Sequence, residues 1–475
     1  MRDLLVIGGG VNGCGIARDA AGRGMAVTLV ERGDLAGATS SASSKLIHGG
    51  LRDLEQYEFR LVREALAERE VMLRIAPHIV WPLRFVLPHR PSMRPRWMIR
   101  AGLFLYDHLA RRVSLPGASA WDTAGGPLRP EITSAFAYSD CWVEDSRLVV
   151  LNAKDAARRG AEIRVGCEFL GATRDAEGWT ARLSDGATIR AKALVNAAGP
   201  WVMQTLATAH AAPPGRIRLV RGSHIVLPAL YPGDHAFILQ NDDGRVVFVI
   251  PYEGRFSLVG TTDVVQETTA TPVCTDDEVA YLCAAVAGQF RVAPQPQDVV
   301  WRYSGVRPLY DDGADNPSAI TRDYVLKLDR DGAPLLSVFG GKITTYRRLA
   351  EEALALLDAP ARPWTAGAPL PGGDFQGGLP ALEASLSQRH PWLPAALRHR
   401  LARAYGTETS ALLGDARDMA ALGQDHGAGL TDRELHWLRR EEWARTAEDV
   451  LWRRSKLGLH LSPAQRQAVA IAMGG

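Results

Sequence analysis

The opening stretch, from Met1 to Glu31, constrains the fold more than any other part of the chain. "DLLVI" (Asp3 to Ile7) is short and almost wholly apolar, as a central parallel strand covered on both faces should be. It runs into Gly8, Gly10 and Gly13 in a GxGxxG pattern, followed by a helix-compatible stretch to about Arg23 and then "AVTLVE", a second strand ending at Glu31. The unit is a βαβ. Glycine there serves the tight turn, admits a pyrophosphate close to the backbone and lets helix pack on strand. The helix N-terminus offers unpaired N–H groups and positive dipole to the phosphates. Glu31, roughly 20 residues beyond Gly8, can accept hydrogen bonds from ribose hydroxyls and would repel a 2′-phosphate. Strand, glycine turn, helix and acid at that spacing point to a dinucleotide site rather than to a turn without a ligand.

Both a flavin and a nicotinamide fit such a unit, and two later segments favour the flavin. "ALVNAAGPW" (Ala193 to Trp201) reads as another buried strand closing on Gly199, and "PLLSVFGGKITTYRRLAEEALALL" reads as strand, glycine turn and helix. A long flavin cofactor lies over several strand ends, so its domain can gather such pieces from distant parts of the chain.

A chain of 475 residues is too long for one compact core, and two or three domains are expected. With 55 basic against 53 acidic residues, the net charge of +2 lacks the basic excess that nucleic-acid binding draws on, and no nucleic-acid partner is expected. The five cysteines form no CxxC pair and are odd in number, so neither a disulfide framework nor a thiolate metal cluster is suggested. They read as reduced, intracellular thiols, and no metal is expected. "MRDLLVIGGG" lacks the pattern of an export signal. No apolar run reaches the ~18 residues of a membrane span, so any membrane contact is expected to be peripheral or monotopic.

Soon after the nucleotide unit, "SSKLIHGGLRDLE" (Ser43 to Glu55) packs two hydroxyls, Lys45, His48, a glycine pair and Arg52 together, as a loop receiving an anion would. This stretch also opens a resemblance. "IGGGVNGCGIARDAAGRG", "TSSASSKLIHGGLR", "YSDCWVEDSRLV", "NAAGPW", "GSHIVLP", "GTTD", "YSGVRPL", "ITRDY", "FGGKITTYR" and "WRRSKLGL", in this order across nearly the whole chain, resemble the bacterial aerobic glycerol-3-phosphate dehydrogenases, the FAD-dependent, membrane-associated type. The resemblance implies oxidation of sn-glycerol 3-phosphate to dihydroxyacetone phosphate, with hydride passing from C2 to flavin N5 and electrons going on to a membrane quinone. It also implies a position on the cytoplasmic side of the inner membrane, and it leaves a homodimer open.

The fold class implied is α/β: a Rossmann-like FAD-binding domain assembled from discontinuous segments (1–75, 145–205 and 302–362), an antiparallel β-rich substrate domain (76–144 and 206–301) and a C-terminal α-helical domain (375–475). A phosphate monoester is nearly dianionic at neutral pH, so cations should cluster at the site. Arg52, Arg307 and Arg322 lie in motifs matching the family's substrate loops and are expected to clamp substrate, since an arginine fork suits phosphate geometry. Gly8, Gly10, Gly13, Glu31, Ser43, Ser44, Lys45, Gly199, Gly341, Lys342 and Thr344 are expected to serve the cofactor, with Lys342 near its reacting edge. The C2 hydroxyl must also lose a proton. His48, His224 and Lys342 are the candidate bases, and Arg307 could instead stabilise alkoxide charge. Where the family usually carries tyrosine after the arginine of "HGGLR", this chain has Asp53, which is expected to point away from the phosphate.

"RPRWMIRAGLFLYDHLARR" (Arg94 to Arg112) is the candidate membrane contact. On a helix Arg96, Arg100, Asp107 and Arg111 fall on one stripe and apolar residues surround the rest, so most of its girth should be buried, in lipid or in the core. "RPWTAGAPLPGGDFQGGLP" reads as a linker to helices in which Trp437, Trp443 and Trp452 are core residues. Three rivals remain: an oxidase using oxygen, a flavin amine or amino-acid oxidase, and a flavoprotein-like scaffold without turnover.

Overall fold

The computed structural model describes residues 1–51, 58–110, 113–311 and 323–474. The expected βαβ unit is strand β1 (Arg2–Ile7), helix α1 (Val11–Gly22) and strand β2 (Val27–Glu31). β1 lies between two parallel neighbours, β2 and the strand Thr188–Asn196, with Leu5 opposite Thr28 on one side and Leu194 on the other. The strand Leu335–Phe339 adds in parallel to Thr188–Asn196, and Glu162–Val165 adds in parallel to β2. Strands read from far-separated segments are therefore neighbours in one sheet, and their carboxyl ends share one edge. An antiparallel hairpin, Phe169–Arg174 with Trp179–Leu183, extends the sheet on Thr188–Asn196, and Val325–Asp329 closes the other side. The near-continuous burial of β1 and β2 follows from helices packed on one face and this hairpin's core on the other.

A second, ten-stranded sheet forms the other large layer. Its pairings are antiparallel except for one, where Ala236 and Phe237 run parallel to Phe85 and Val86. Its longest pairing joins the strands Arg216–Pro228 and Trp301–Asp311, with His224 opposite Tyr303 and Val220 opposite Arg307. The expected boundary at 302 falls inside this last strand. Trp301–Asp311 belongs to the second sheet because its whole length pairs with Arg216–Pro228, and the chain joins the first sheet again only at Val325. The short strand Leu46–Ile47 likewise pairs in the second sheet.

The C-terminal region packs helices Ala395–Tyr405, Asp432–Glu442 and Pro463–Ala472, with shorter turns, around Leu401, Leu412, Trp437 and Val450, and the helix Gly378–Arg389 adds a small cluster of Leu382 and Leu386 on Ala402. Trp437 is buried in that core, whereas Trp443 is half-buried against the nucleotide domain and Trp452 stacks on Trp301 with centroids 4.4 Å apart. The region docks on the helix Asp145–Arg158 through buried ion pairs, Arg147 with Glu442 and Lys154 with Glu408. All five cysteines are buried and unbridged.

Of the two readings of the helix Arg96–His108, the structure does not bear out the one that buried it in the core. Only Leu103 and Tyr106 are buried, while Trp97 and Phe104 are 67% and 65% exposed. Its girth is not enclosed by the protein, because one face alone meets the second sheet. No helix among the described residues is long and apolar enough to cross a membrane.

Candidate active site

The turn after β1 is shaped by close approach. Gly8 has φ +113° and a Cβ there would run into the Ala197 carbonyl; a Cβ on Gly13 would overlap the Gly8 carbonyl oxygen. α1 starts at this turn without a side-chain cap on Gly10, and Val11 N donates to Ser40 Oγ at 3.0 Å. Asn12 bridges to the later glycine turn, its Nδ2 donating to the Gly340 carbonyl at 3.1 Å, and its buried Oδ1 has no partner. Glu31 Oε2 accepts from Gly9 N at 2.7 Å and Oε1 from Gly33 N at 2.8 Å. Burial pushes the Glu31 carboxyl up, and these two N–H groups oppose the shift.

From this turn a cavity of about 1870 Å³ extends along the carboxyl edge of the first sheet to the second. That is larger than the ~300–1,000 Å³ of a pocket for one small molecule. Its lining joins Gly8, Gly10, Glu31, Ser43, Ser44 and Gly199 to Gly341 and Lys342 after the strand Leu335–Phe339, and to His48, His224 and Arg307 from the second sheet. The sequence-predicted residues so brought together come from seven separate segments. Arg32 lies over the Trp201 ring at 4.0 Å, and both line the cavity near Glu31. A helix start at a glycine N-cap, an unpartnered amide oxygen, a turn with no room for Cβ and an elongated cavity suit an extended dinucleotide. These residues fit FAD.

Three predicted cofactor residues sit behind the lining rather than in it. Gly13 is buried in the turn. Thr344 is buried, with its Oγ1 accepting from His48 N at 3.4 Å. Lys45 is fully buried and turned inward, its Nζ donating to Asp145 Oδ1 at 2.7 Å. A buried ammonium needs a buried anion, and Asp145 supplies it. Lys45 thus braces the segment carrying Ser43 and Ser44: Asp145 Oδ2 also accepts from Ser43 Oγ at 2.8 Å.

His224 is 3% exposed, contacts Ser44 Oγ through Nε2 at 2.8 Å and stacks on Tyr303 with centroids 4.9 Å apart; its Nδ1 has no partner. Burial, then the Lys45 and Arg307 charges, push its imidazole down to about 3, so it is neutral at ordinary pH. His48 follows the strand Leu46–Ile47, and its Nδ1 accepts from Gly50 N at 3.1 Å. An N–H can only donate, so neutral His48 carries its hydrogen on Nε2. Tyr106 of the helix Arg96–His108 holds this loop, accepting from Gly49 N at 2.8 Å and donating to Asp140.

Arg307 donates through Nη2 to Asp263 Oδ1 at 2.6 Å, with both side chains 43% exposed at the cavity. Asp263, Asp145, Asn12 and Arg32 went unmarked in the sequence reading. Asp263 and Asp145 do lie in the quoted motifs "GTTD" and "VEDSRLV", and an acid beside a cation-rich motif was the available signal. Arg52, Asp53, Arg322 and Arg111 lie outside the described residues.

This fold and cavity define a flavin-dependent oxidoreductase. The model of the family described as FAD dependent oxidoreductase matches residues 3–347, and that of the C-terminal domain of alpha-glycerophosphate oxidase matches 364–473. A glycerol-3-phosphate dehydrogenase of Pseudomonas aeruginosa is 54% identical over 98% of this chain and 93% of its own. A D-erythritol 1-phosphate dehydrogenase of Brucella abortus is 50% identical over 98% and 96%. The crystal structure of a glycerol-3-phosphate dehydrogenase from Bacillus halodurans complexed with FAD superposes with a TM-score of 0.76 at 25% identity, over 100% of this chain and 94% of that one. The chain belongs to the FAD-dependent oxidoreductases, in the family that contains these bacterial glycerol-3-phosphate dehydrogenases.

Proposed function

We propose that the chain oxidises sn-glycerol 3-phosphate to dihydroxyacetone phosphate and passes the electrons to a membrane quinone. FAD held in the cavity would supply the redox chemistry, as acceptor of the hydride that leaves C2. Gly8, Gly10, Glu31, Ser43, Ser44, Gly199 and Gly341 would hold it, and Lys342 would stand near its reacting edge. The observation that carries the reading is the single cavity running from the nucleotide turn to Arg307, His48 and His224.

Arg307 binds the substrate phosphate, together with Arg52 and Arg322. Its ion pair with Asp263 is half-exposed and so of little energy, and the guanidinium can exchange that partner for phosphate at small cost. His48 offers Nε2–H to the C2 oxygen and Arg307 stabilises the negative charge that oxygen gains, while the hydroxyl proton passes to the amine of Lys342, the remaining candidate base. His224 holds Ser44 and closes the wall with Tyr303.

The exposed apolar face of the helix Arg96–His108 supports contact with a bilayer, as a peripheral or monotopic protein on its cytoplasmic face. Arg96 and Arg100 flank exposed Trp97, Met98 and Phe104, an arrangement suited to anionic headgroups above acyl chains. Met98, Ile99 and Leu103 also line the cavity, which gives a lipid-dissolved quinone an apolar approach.

The Brucella abortus relative supports a second reading within the same chemistry, a four-carbon polyol phosphate as donor. Steady-state turnover with a short-chain quinone separates the two: kcat/KM should be larger for glycerol 3-phosphate than for D-erythritol 1-phosphate. The reverse order would replace the first reading by the second, and turnover with oxygen alone would make the protein an oxidase.

A further inference from the structure

The motif "WRRSKLGL" has no part in the chemistry above, yet Arg453 reaches the cavity wall and Arg454 lies buried beside it. Arg453 and Arg454 end a π-helical turn spanning Asp449–Arg454. Arg454 is buried and forks onto Asp34, Nη2 to Oδ1 at 2.7 Å and Nη1 to Oδ2 at 2.8 Å. Arg453 adds a third bond, Nε to Oδ2 at 2.6 Å. Both arginines are fixed from behind: Arg454 Nε donates to the Glu442 carbonyl at 3.0 Å, and Arg453 Nη2 to Asp449 Oδ1 at 2.5 Å.

Asp34 belongs to the loop that leaves β2 directly after Glu31. Gly33 O accepts from Gly166 N at 2.8 Å, Ala36 N donates to Gly9 O at 3.0 Å, and the Glu31 carboxylate grips Gly9 and Gly33. Asp34 and Arg453 line the cavity beside Glu31, Arg32 and Gly33. An acid at the end of the second strand of a βαβ unit meets the ribose of a dinucleotide. Fixing that loop before the ligand arrives removes an ordering cost from binding. Docking of the C-terminal domain is already carried by Arg147–Glu442 and Lys154–Glu408, so a mere tether had no need to end at the cavity.

We infer that Arg453 and Arg454, acting through Asp34, are positioning residues that hold the Glu31–Asp34 loop in the shape receiving the adenosine end of FAD. The C-terminal domain thereby sets how tightly the cofactor is retained. This rests on the reading of the cavity as an FAD site.

The test compares wild type, Arg453→Gln and Asp34→Asn as full-length holoproteins. FAD release on dilution is followed by recovery of free-flavin fluorescence, alongside the thermal midpoint of each protein and KM for glycerol 3-phosphate at saturating FAD. Both variants should hold FAD about tenfold or more weakly, equivalent to about 1.4 kcal/mol, with KM unchanged. Arg453→Gln keeps the Arg454–Asp34 pair and should melt close to wild type; it carries the test alone if Asp34→Asn, which strands Arg454, does not fold. An unchanged FAD constant in Arg453→Gln overturns the inference, and a lowered midpoint beside it would mark a domain tether. A wild type that binds no FAD would instead sink the reading of the cavity, and this inference with it.

Discussion

Lys45→Met isolates the buried ion pair behind the cofactor wall. Methionine keeps the chain length and removes the bonded cation, leaving Asp145 with its hydrogen bonds from Ser43 Oγ at 2.8 Å and Ser146 N at 2.8 Å and with Lys456 as the remaining nearby charge. Both members of the pair are fully buried. Breaking such a pair from one side costs about 3–5 kcal/mol. At about 2–4 °C per kcal/mol for a cooperative unit of the nucleotide domain's size, the midpoint should fall by about 6–20 °C. Lys45→Met/Asp145→Asn should recover a good part of that loss, because the uncharged amide can stay buried. The assay is thermal unfolding by circular dichroism at pH 7 with saturating FAD. A Lys45→Met protein melting within about 2 °C of wild type, or a double variant no better than the single, would refute the reasoning. The sign with pH follows. Burial raises the Asp145 carboxyl but the Lys45 and Lys456 charges outweigh it, leaving it below its usual range. Its contribution is therefore complete above the unfolded value near 3.9 and is lost as pH falls through the folded one. The gap between wild type and Lys45→Met should narrow in acid.

Arg307→Ala should raise KM for glycerol 3-phosphate about 10- to 100-fold, the worth of about 1.5–3 kcal/mol for bonds to a charged group. Initial rates across substrate concentration check it, and a change under twofold would remove Arg307 from the phosphate site. Trp97→Glu/Phe104→Glu should abolish flotation with anionic liposomes at low salt while leaving dye-linked turnover unchanged, since both side chains face outward. A wild type that stays in the dense fractions would remove the membrane contact. Burial and the Glu253 charge push Glu144 up to about 7. A carboxyl raised in this way stabilises the fold below its unfolded value near 4.3 and loses that contribution as pH rises to about 7. The midpoint of wild type relative to Glu144→Gln should accordingly fall between pH 5 and about 7.5, and a flat difference would refute the shift.

The nucleotide unit was legible because its strands are buried on both faces and so read as unbroken apolar runs, with glycines where a Cβ would strike a carbonyl. The joining of "ALVNAAGPW" and "PLLSVFGG" to it was legible for the same reason. Which side of a wall a cation takes was not: Lys45 stands beside Ser43 and Ser44 in sequence, but its backbone turn sends it to Asp145, a hundred residues on. The helix Arg96–His108 shows why composition cannot settle exposure. An apolar girth looks alike in a core and at an interface, and only the packing of Leu103 and Tyr106 distinguishes the buried side. The Asp34–Arg454 contact spans 420 residues and pairs charges that are common everywhere, so no local pattern announces it.

The central claim meets its most direct test in the anaerobic absorption spectrum of the FAD-loaded protein, recorded before and after adding glycerol 3-phosphate, with glycerol and an amino acid as controls. The account predicts bleaching of the flavin band by glycerol 3-phosphate and by neither control, which would join the donor to the phosphate requirement in one experiment. FAD that is bound but left unbleached by glycerol 3-phosphate, or bleached by the amino acid, would contradict it.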